Sequence, residues 1–262
     1  MKIKVVYMDV DDTIMRNHDF RSITKELRYQ IERLKDKGIK IRIATGRTYA
    51  SAKRILNELE IDDTTILYNG ALARDKFGNI VYEESLNKEK INKLIDLSRE
   101  MKIHLNLYNN EIVFFEKETE IVMDYINNNK IDYKVIDLKT MKKSNKGIFM
   151  GEYEELCRLK NRIETEIEGV TPVFSKPCYL EVLSKGVSKG SAIEHVCKLE
   201  KIDLKYVMAF GDQWNDYNML KNVGYGYLMG NAQEDLKEQF PNDRITETCE
   251  ENGVANRLAE ID

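Results

Sequence analysis

No apolar run in this 262-residue chain approaches the ~18 residues that a membrane-crossing helix needs, so no membrane association is expected. Cys157, Cys178, Cys197 and Cys249 lie too far apart for a CxxC metal or redox pair. They are read as reduced core or surface thiols of a cytoplasmic protein, since disulfides are rare in that compartment. His18, His104 and His195 are isolated, which argues against a histidine-built metal site. Basic excess is missing too: 41 Lys and Arg are interspersed with 45 Asp and Glu, for a net charge of −4. A nucleic-acid partner, which demands a basic face, is therefore not expected. The N-terminus, Met1-Lys2-Ile3-Lys4, runs straight into an apolar segment and lacks a signal peptide's apolar region and cleavage site. No repeat or low-complexity tract stands out. What is present, 42% apolar and 33% charged residues, can bury a core under a well-solvated surface, over a length compatible with two domains.

The first third alternates strand and helix. Residues 4–8 form a short apolar run of the buried-strand kind. Ser22 is placed to cap a helix carrying Ile23, Leu27, Ile31 and Leu34 on one face, and Gly38 to end it. Residues 39–44 read as the next strand, 50–59 as the next helix and 65–68 as a third strand. That succession implies a parallel sheet with right-handed crossovers. Ligands on such sheets bind beyond the carboxyl ends of the strands, where Asp9, Thr45 and Asn69 stand. Residues 71–74 and 79–83 then flank Lys76-Phe77-Gly78 as a hairpin. Further on, closely spaced strands (103–108, 112–116) interleave with helices (88–101, 119–127, 152–168), as in an α+β insert. Alternation returns near Gly186: helix 188–199, strand 206–211, helix 215–222, strand 224–229, helices 232–239 and 253–261. The expected fold is α/β, a doubly wound parallel-sheet (Rossmann-like) core from residues 1–83 and 185–262, interrupted by an α+β domain at 84–184.

Four segments at strand ends or helix starts carry chemistry. They are Asp9-Val10-Asp11-Asp12-Thr13, Ala44-Thr45-Gly46-Arg47, Gly186-Val187-Ser188-Lys189-Gly190 and Gly211-Asp212-Gln213-Trp214-Asn215-Asp216. In extended backbone alternate side chains face one way, so Asp9 and Asp11 can share a site with Val10 turned aside. If Asp212 and Asp216 converge there, the repulsion among carboxylates would raise several pKa values or unfold the site. A hard divalent cation removes that conflict, and oxygen-only ligation by few dedicated ligands suits Mg²⁺. Such a cation, opposite the Thr45 hydroxyl and the Lys189 ammonium, is suited to gripping a phosphoryl group. The carboxylates are thus expected to hold Mg²⁺, and one of them to attack phosphorus.

These segments resemble the haloacid dehalogenase superfamily. Its motifs are DxDx(T/V), a Thr or Ser after strand two, a Lys, and an acidic GDxxxD or GDxxND, and all four stand in the family's order. The Asn69-Gly70-Ala71 turn, the 186–190 run and Met229-Gly230-Asn231-Ala232 are similar to the Cof-type phosphatases, whose large cap is inserted where residues 84–184 fall. The resemblance covers essentially the whole chain and implies roles residue by residue. Asp9 would be the nucleophile that forms an aspartyl-phosphate, and Asp11 the general acid/base. Mg²⁺ would be held by the Asp9 carboxylate, the Asp11 backbone carbonyl and the Asp212 carboxylate. Thr45, Gly46 and Lys189 would bind the phosphoryl group, and Asn215 is counted with them. Asn215 and Asp216 would also complete or orient the metal site, and Asn69 would help fix substrate. The implied activity is Mg²⁺-dependent hydrolysis of a small phosphorylated metabolite, such as a sugar phosphate, under a selective cap. Gln213-Trp214 departs from the frequent Gly at that place, which bears on the loop's shape.

Other readings stand beside these. A phosphomutase would use the same nucleophile but return the phosphoryl group to its sugar. A signalling receiver also combines Asp, Thr and Lys on a parallel sheet, but it is shorter and phosphorylates an Asp after strand three, where Tyr68-Asn69 stands. The GxxxxGK(S/T) phosphate loop is not met at residues 186–191. Asp12 reads as a loop or capping carboxylate, Arg47 as a salt-bridge or solvated residue, and Tyr206, Tyr225 and Tyr227 as strand packing. Trp214, the single tryptophan, either packs on the adjoining helix or walls the site. No residue of 84–184 matches a specificity motif, which leaves the substrate and the oligomeric state open.

Overall fold

The fold is a computed structural model that describes residues 2–16, 19–109, 111–129 and 131–262; His18 lies outside them. The chain divides into two compact units. One comprises Met1–Arg47, Ala52–Tyr82 and Ser188–Asp262, the other Thr48–Ser51 and Glu83–Val187.

In the first unit β1 (Val5–Met8) is buried along its whole length. α1 (Lys25–Asp36) leads to β2 (Lys40–Ile43), which pairs parallel with β1. The cap of α1 is Thr24, whose side chain accepts from the Leu27 N–H, and not Ser22 as the sequence suggests. The Ser22 hydroxyl is engaged elsewhere, accepting from the Arg16 N–H at 2.7 Å and donating to the Asp19 carbonyl at 2.6 Å. α2 (Tyr49–Glu58) leads to β3 (Thr65–Leu67), which joins the sheet through the parallel Ala44–Ile66 bridge. The chain then turns through Tyr68-Asn69-Gly70 into the antiparallel β4 (Leu72–Arg74), and β5 (Ile80–Glu83) follows the hairpin. Gly70 sits at φ +102°, and a Cβ there would lie 2.1 Å from the Ser188 carbonyl oxygen, so only glycine lets these backbones meet.

The second unit contains β6 (Leu86–Asn87), α3 (Lys88–Met101), β7 (His104–Asn109), β8 (Ile112–Phe115), α4 (Glu120–Asn129) and β9 (Tyr133–Val135). It continues with β10 (Lys143–Ser144), β11 (Lys146–Met150), α5 (Tyr153–Glu166), β12 (Val170–Lys176) and β13 (Tyr179–Ser184). Six strands form a sheet ordered β12-β13-β11-β7-β8-β9, antiparallel except for the parallel β8–β9 pair. Leu105, Leu107, Phe149, Leu180 and Val182 of one face share a core with Leu94, Leu156 and Leu159 of α3 and α5. Strand alternation puts Tyr108, Lys146 and Glu181 on the other face, where Lys146 and Glu181 form a buried ion pair at 3.1 Å.

The first unit resumes with α6 (Lys189–Leu199), β14 (Val207–Gly211), α7 (Tyr217–Asn222), β15 (Tyr225–Leu228), α8 (Glu234–Lys237) and α9 (Gly253–Ala259). Several helices are shorter than their apolar spacing predicts: residues 214–216 are a 3-10 turn before α7, and α8 and α9 end early. β14 pairs parallel with β1 on the side away from β2, giving the order β15-β14-β1-β2. Strands before the insert step outward one way and strands after it the other, so the order reverses between β1 and β14. Strand ends diverge at such a reversal and leave a crevice. Val5, Tyr7, Val207 and Ala209 pack beneath Ala192, Ile193 and Val196 of α6 and Met219 of α7. Arg42, in mid-β2, is fully buried with its guanidinium on the Tyr7 hydroxyl (2.9 Å), Asp63 (2.9 Å) and Glu200 (2.5 Å). Among the described residues no helix is long and apolar enough to cross a membrane.

Candidate active site

Asp9 and Asp212 are each the first residue past a strand, β1 and β14, on either side of the crevice. α6 begins at Lys189, behind a capping box in which Ser188 and Ser191 exchange side-chain and backbone hydrogen bonds. That start aims Lys189 inward: its Nζ lies 2.6 Å from Asp9 Oδ1 and 2.6 Å from Asp216 Oδ1, with no exposed side-chain surface. A solvated helix-start lysine is thereby ruled out. Asp216 Oδ2 accepts from the backbone N–H groups of Asp212 (3.0 Å) and Gln213 (3.2 Å). Asp212 Oδ1 accepts from the Thr13 hydroxyl at 3.1 Å and Oδ2 from the Gln213 side-chain amide at 3.2 Å. Oxygens of Asp9, Asp212 and Asp216, all buried, lie within 4.8 Å of one another.

Three carboxylates face one ammonium, and the electrostatics follow. Burial pushes Asp9 up to about 7; Lys189 opposes the rise, while the charges of Asp216 and Asp11 add to it. Asp212 is pushed up to about 8 by burial and by Asp9 and Asp216. Burial alone would lower Lys189, but Asp216 and Asp9 outweigh it and hold the ammonium charged. Without a further cation, the protein's own groups leave this cluster short of positive charge.

Asp11 does not join the cluster. Its carboxylate is gripped by Arg47, with Nε 2.9 Å from Oδ2 and Nη2 2.6 Å from Oδ1, so four converging carboxylates become three plus an ion pair. Thr45 is buried after β2; its Oγ1 accepts from the Arg47 N–H (3.2 Å) and its carbonyl from the Asn69 N–H (3.1 Å). Gly46 packs so close to Asn69 that an added Cβ would lie 2.9 Å from Asn69 Oδ1. Asn69, left-handed at φ 55°, accepts at Oδ1 from Asn215 Nδ2 at 3.0 Å. Asn215 Oδ1 is buried and has no hydrogen-bond partner among the described residues.

Thr13 and Gln213 carry no site role in the sequence reading, although Thr13 belongs to the DxDxT run that carries Asp9 and Gln213 stands out there only as a departure from the frequent Gly. Trp214 is 41% exposed; its Nε1 donates to Asp235 at 3.3 Å and its ring lies 5.7 Å from that of Tyr217 in α7. Tyr227 stacks on Phe210, His195 lies against Tyr82 and His104 bonds Asn106, all outside the carboxylate cluster. The four cysteines are free thiols.

The family model for haloacid dehalogenase-like hydrolases matches residues 6–258, and the chain belongs to that family, as a hydrolase of the Cof type. It is similar to the HMP-PP phosphatase of Yersinia pseudotuberculosis serotype O:1b (strain IP 31758), 30% identical over 259 residues, 97% of this chain and 94% of the relative. Among solved structures it is similar to a haloacid dehalogenase-like hydrolase from Bacteroides thetaiotaomicron, with a TM-score of 0.87, 25% identity and 100% of both chains covered. Another protein of that organism, described among phosphatases of the same superfamily, gives a TM-score of 0.85 at 26% identity over 98% of this chain and 94% of its own. The chain is thus an enzyme, a phosphatase of the phosphomonoester hydrolase class.

Proposed function

We propose that this phosphatase is Mg²⁺-dependent, acts on small phosphorylated metabolites, and works through an aspartyl-phosphate on Asp9. The observation that carries this reading is the buried Asp9 carboxylate at the crevice, with one oxygen on Lys189 and Asp212 beside it. The Asp9 oxygen not taken by Lys189 bonds to phosphorus as the bond to the ester oxygen breaks. Asp11 gives the leaving oxygen its proton, then takes a proton from the water that hydrolyses the aspartyl-phosphate. Asp11 pairs with Arg47, so its acid role requires that pair to open as the carboxyl delivers its proton. The Thr45 hydroxyl accepts from the Arg47 backbone N–H and keeps its own proton for a phosphoryl oxygen; Gly46 beside it lets Asn69 pack close, and Lys189 adds positive charge.

The donor set fits Mg²⁺: buried, close, oxygen-only and deficient in positive charge. The Asp9 and Asp212 carboxylates and the Asp11 backbone carbonyl would hold it. Asp216, with Oδ1 on the Lys189 ammonium and Oδ2 on two backbone N–H groups, anchors Lys189 and the 212–213 backbone and so orients the site. Bound there, Mg²⁺ supplies the charge that keeps the two aspartates ionised and offsets that of the phosphoryl oxygens. Asn215, whose donor goes to Asn69, offers its unpaired Oδ1 and so suits the metal side of the site better than a phosphoryl oxygen. Asn69 holds Asn215 in that orientation. The second unit, as a cap, would carry the selectivity among substrates.

A panel of phosphorylated metabolites tests this reading, with HMP-PP, sugar phosphates, flavin mononucleotide and pyridoxal phosphate included. Free phosphate released only with Mg²⁺, followed by phosphorus NMR, is the expected result. An isomerised ester without free phosphate would show a mutase, and turnover undiminished by metal removal would overturn the Mg²⁺ requirement.

A further inference from the structure

The Met229-Gly230-Asn231-Ala232 segment follows β15, outside the catalytic motifs, yet its contacts run to them. The Met229 N–H donates to the Gly211 carbonyl at 2.9 Å, directly before Asp212. The Gly230 N–H donates to the Glu247 carbonyl at 3.2 Å, and a Cβ on Gly230 would lie 2.8 Å from the Thr246 carbonyl oxygen. Asn231 then bridges two loops with one side-chain amide. Its Nδ2 donates to the Asp12 carbonyl at 2.9 Å, and its Oδ1 accepts from the Cys249 N–H at 2.8 Å.

The Asp12 end of that bridge bears on the site. Asp12 stands at φ 56°, a left-handed conformation that costs a non-glycine residue free energy and persists only where neighbours hold it. Rotation about that φ turns the preceding peptide plane, whose carbonyl belongs to Asp11 and whose N–H donates to the Met15 carbonyl at 2.8 Å, while the bond from Asn231 holds the peptide plane that follows; the two together fix Asp12 between them. A cavity of about 280 Å³ lies beside the bridge, lined by Asp12, Asp212, Asn231 and Cys249 among others. Asn231 itself is exposed, and truncating it opens no core cavity.

We propose that Asn231 is a positioning residue: it fixes Asp12 in its left-handed conformation and thereby aims the Asp11 carbonyl at the cation. This rests on the proposed Mg²⁺ site and assigns the 229–232 segment the task of tying the nucleophile loop to the Gly211–Asp212 strand end and the 247–249 loop. Asn231→Asp keeps the acceptor for the Cys249 N–H and loses the donor to Asp12. Asn231→Ala loses both.

The test is Mg²⁺ affinity by titration calorimetry on the full chain, with metal-free melting temperature measured alongside. Outer contacts of this kind typically change metal affinity about 10- to 100-fold. Both variants are expected to bind Mg²⁺ at least about tenfold more weakly, with kcat restored in part by excess Mg²⁺ and a metal-free melting temperature near that of the parent. Parent-like Mg²⁺ affinity in Asn231→Asp overturns the proposal, whether or not Asn231→Ala folds. A loss of affinity no larger than the loss of folded protein overturns it as well. Failure of the parent chain to bind Mg²⁺ would instead overturn the metal reading on which it rests.

Discussion

Lys189 Nζ lies 2.6 Å from Asp9 Oδ1 and the same distance from Asp216 Oδ1, so one buried ammonium serves two buried carboxylates. The α6 capping box fixes where that side chain starts, and the close approach of Gly70 to Ser188 fixes where the helix starts. Substrate phosphate would enter a site whose nucleophile is already paired.

Lys189→Met should therefore damage stability and catalysis together. Removing one partner of a buried pair typically costs about 3–5 kcal/mol, because the other charge is left uncompensated. Loss of a preorganised cation at the phosphoryl group should lower kcat by about 10²–10³. Thermal melts with and without Mg²⁺ check the first effect, and Mg²⁺ should recover part of the lost stability. An unchanged metal-free melting temperature would contradict the pairing.

Burial and repulsion among the carboxylates push the folded-state carboxyls of Asp9 and Asp212 up to about 7 and about 8, against 3.8 as the ordinary value. As pH rises from about 4 toward 8 the folded state keeps protons that the unfolded chain has released, so metal-free stability should fall across that window. Mg²⁺ competes with those protons, so the rise in melting temperature on adding it should be larger at pH 8.5 than at pH 6. Asp212→Asn removes a buried charge and should raise the metal-free melting temperature at pH 8 by about 2–8 °C, while abolishing the Mg²⁺ response. A Mg²⁺ effect independent of pH would contradict the assignment.

Asp11→Asn should separate substrates by leaving group. An aryl phosphate leaves with little protonation, whereas an alkyl phosphate needs the acid. In single-turnover experiments the variant should transfer phosphate from the aryl ester far better than from the alkyl ester, then stall before hydrolysis. Equal losses on both esters would contradict the acid role.

The sheet was legible because apolar runs and turn residues repeat, and the strand-end motifs marked Asp9, Thr45, Lys189 and Asp212. Periodicity does not resolve how a side chain is aimed, and there the sequence reading stopped. Asp11 and Asp9 share a strand-end spacing, yet Arg47, two residues past Thr45, draws Asp11 aside. Ser22 and Thr24 are both cap-forming residue types, and the local bonds of Ser22 to Arg16 and Asp19 leave Thr24 to cap the helix. Nothing local marks Arg42 within the 39–44 strand, because its partners Asp63 and Glu200 come from distant segments.

Arg42→Ala should cost about 3 kcal/mol, at the low end for a broken buried pair because Asp63 and Glu200 are a quarter exposed and can rehydrate. Arg42 lies within the strand, away from the carboxylate cluster, so kcat per folded molecule should be unchanged. Chemical denaturation with activity measured on the folded fraction checks both parts.

The central claim, that phosphate passes through Asp9, is tested most directly by trapping. Asp11→Asn is mixed with an aryl phosphate and Mg²⁺, quenched in acid and mapped by peptide mass spectrometry. The account predicts a phosphoryl group on Asp9, absent when Mg²⁺ is withheld and absent when Asp9→Asn is added. A phosphoryl group on Asp212 or Asp216, or phosphate released as in the parent with Asp9 unmodified throughout, would contradict it.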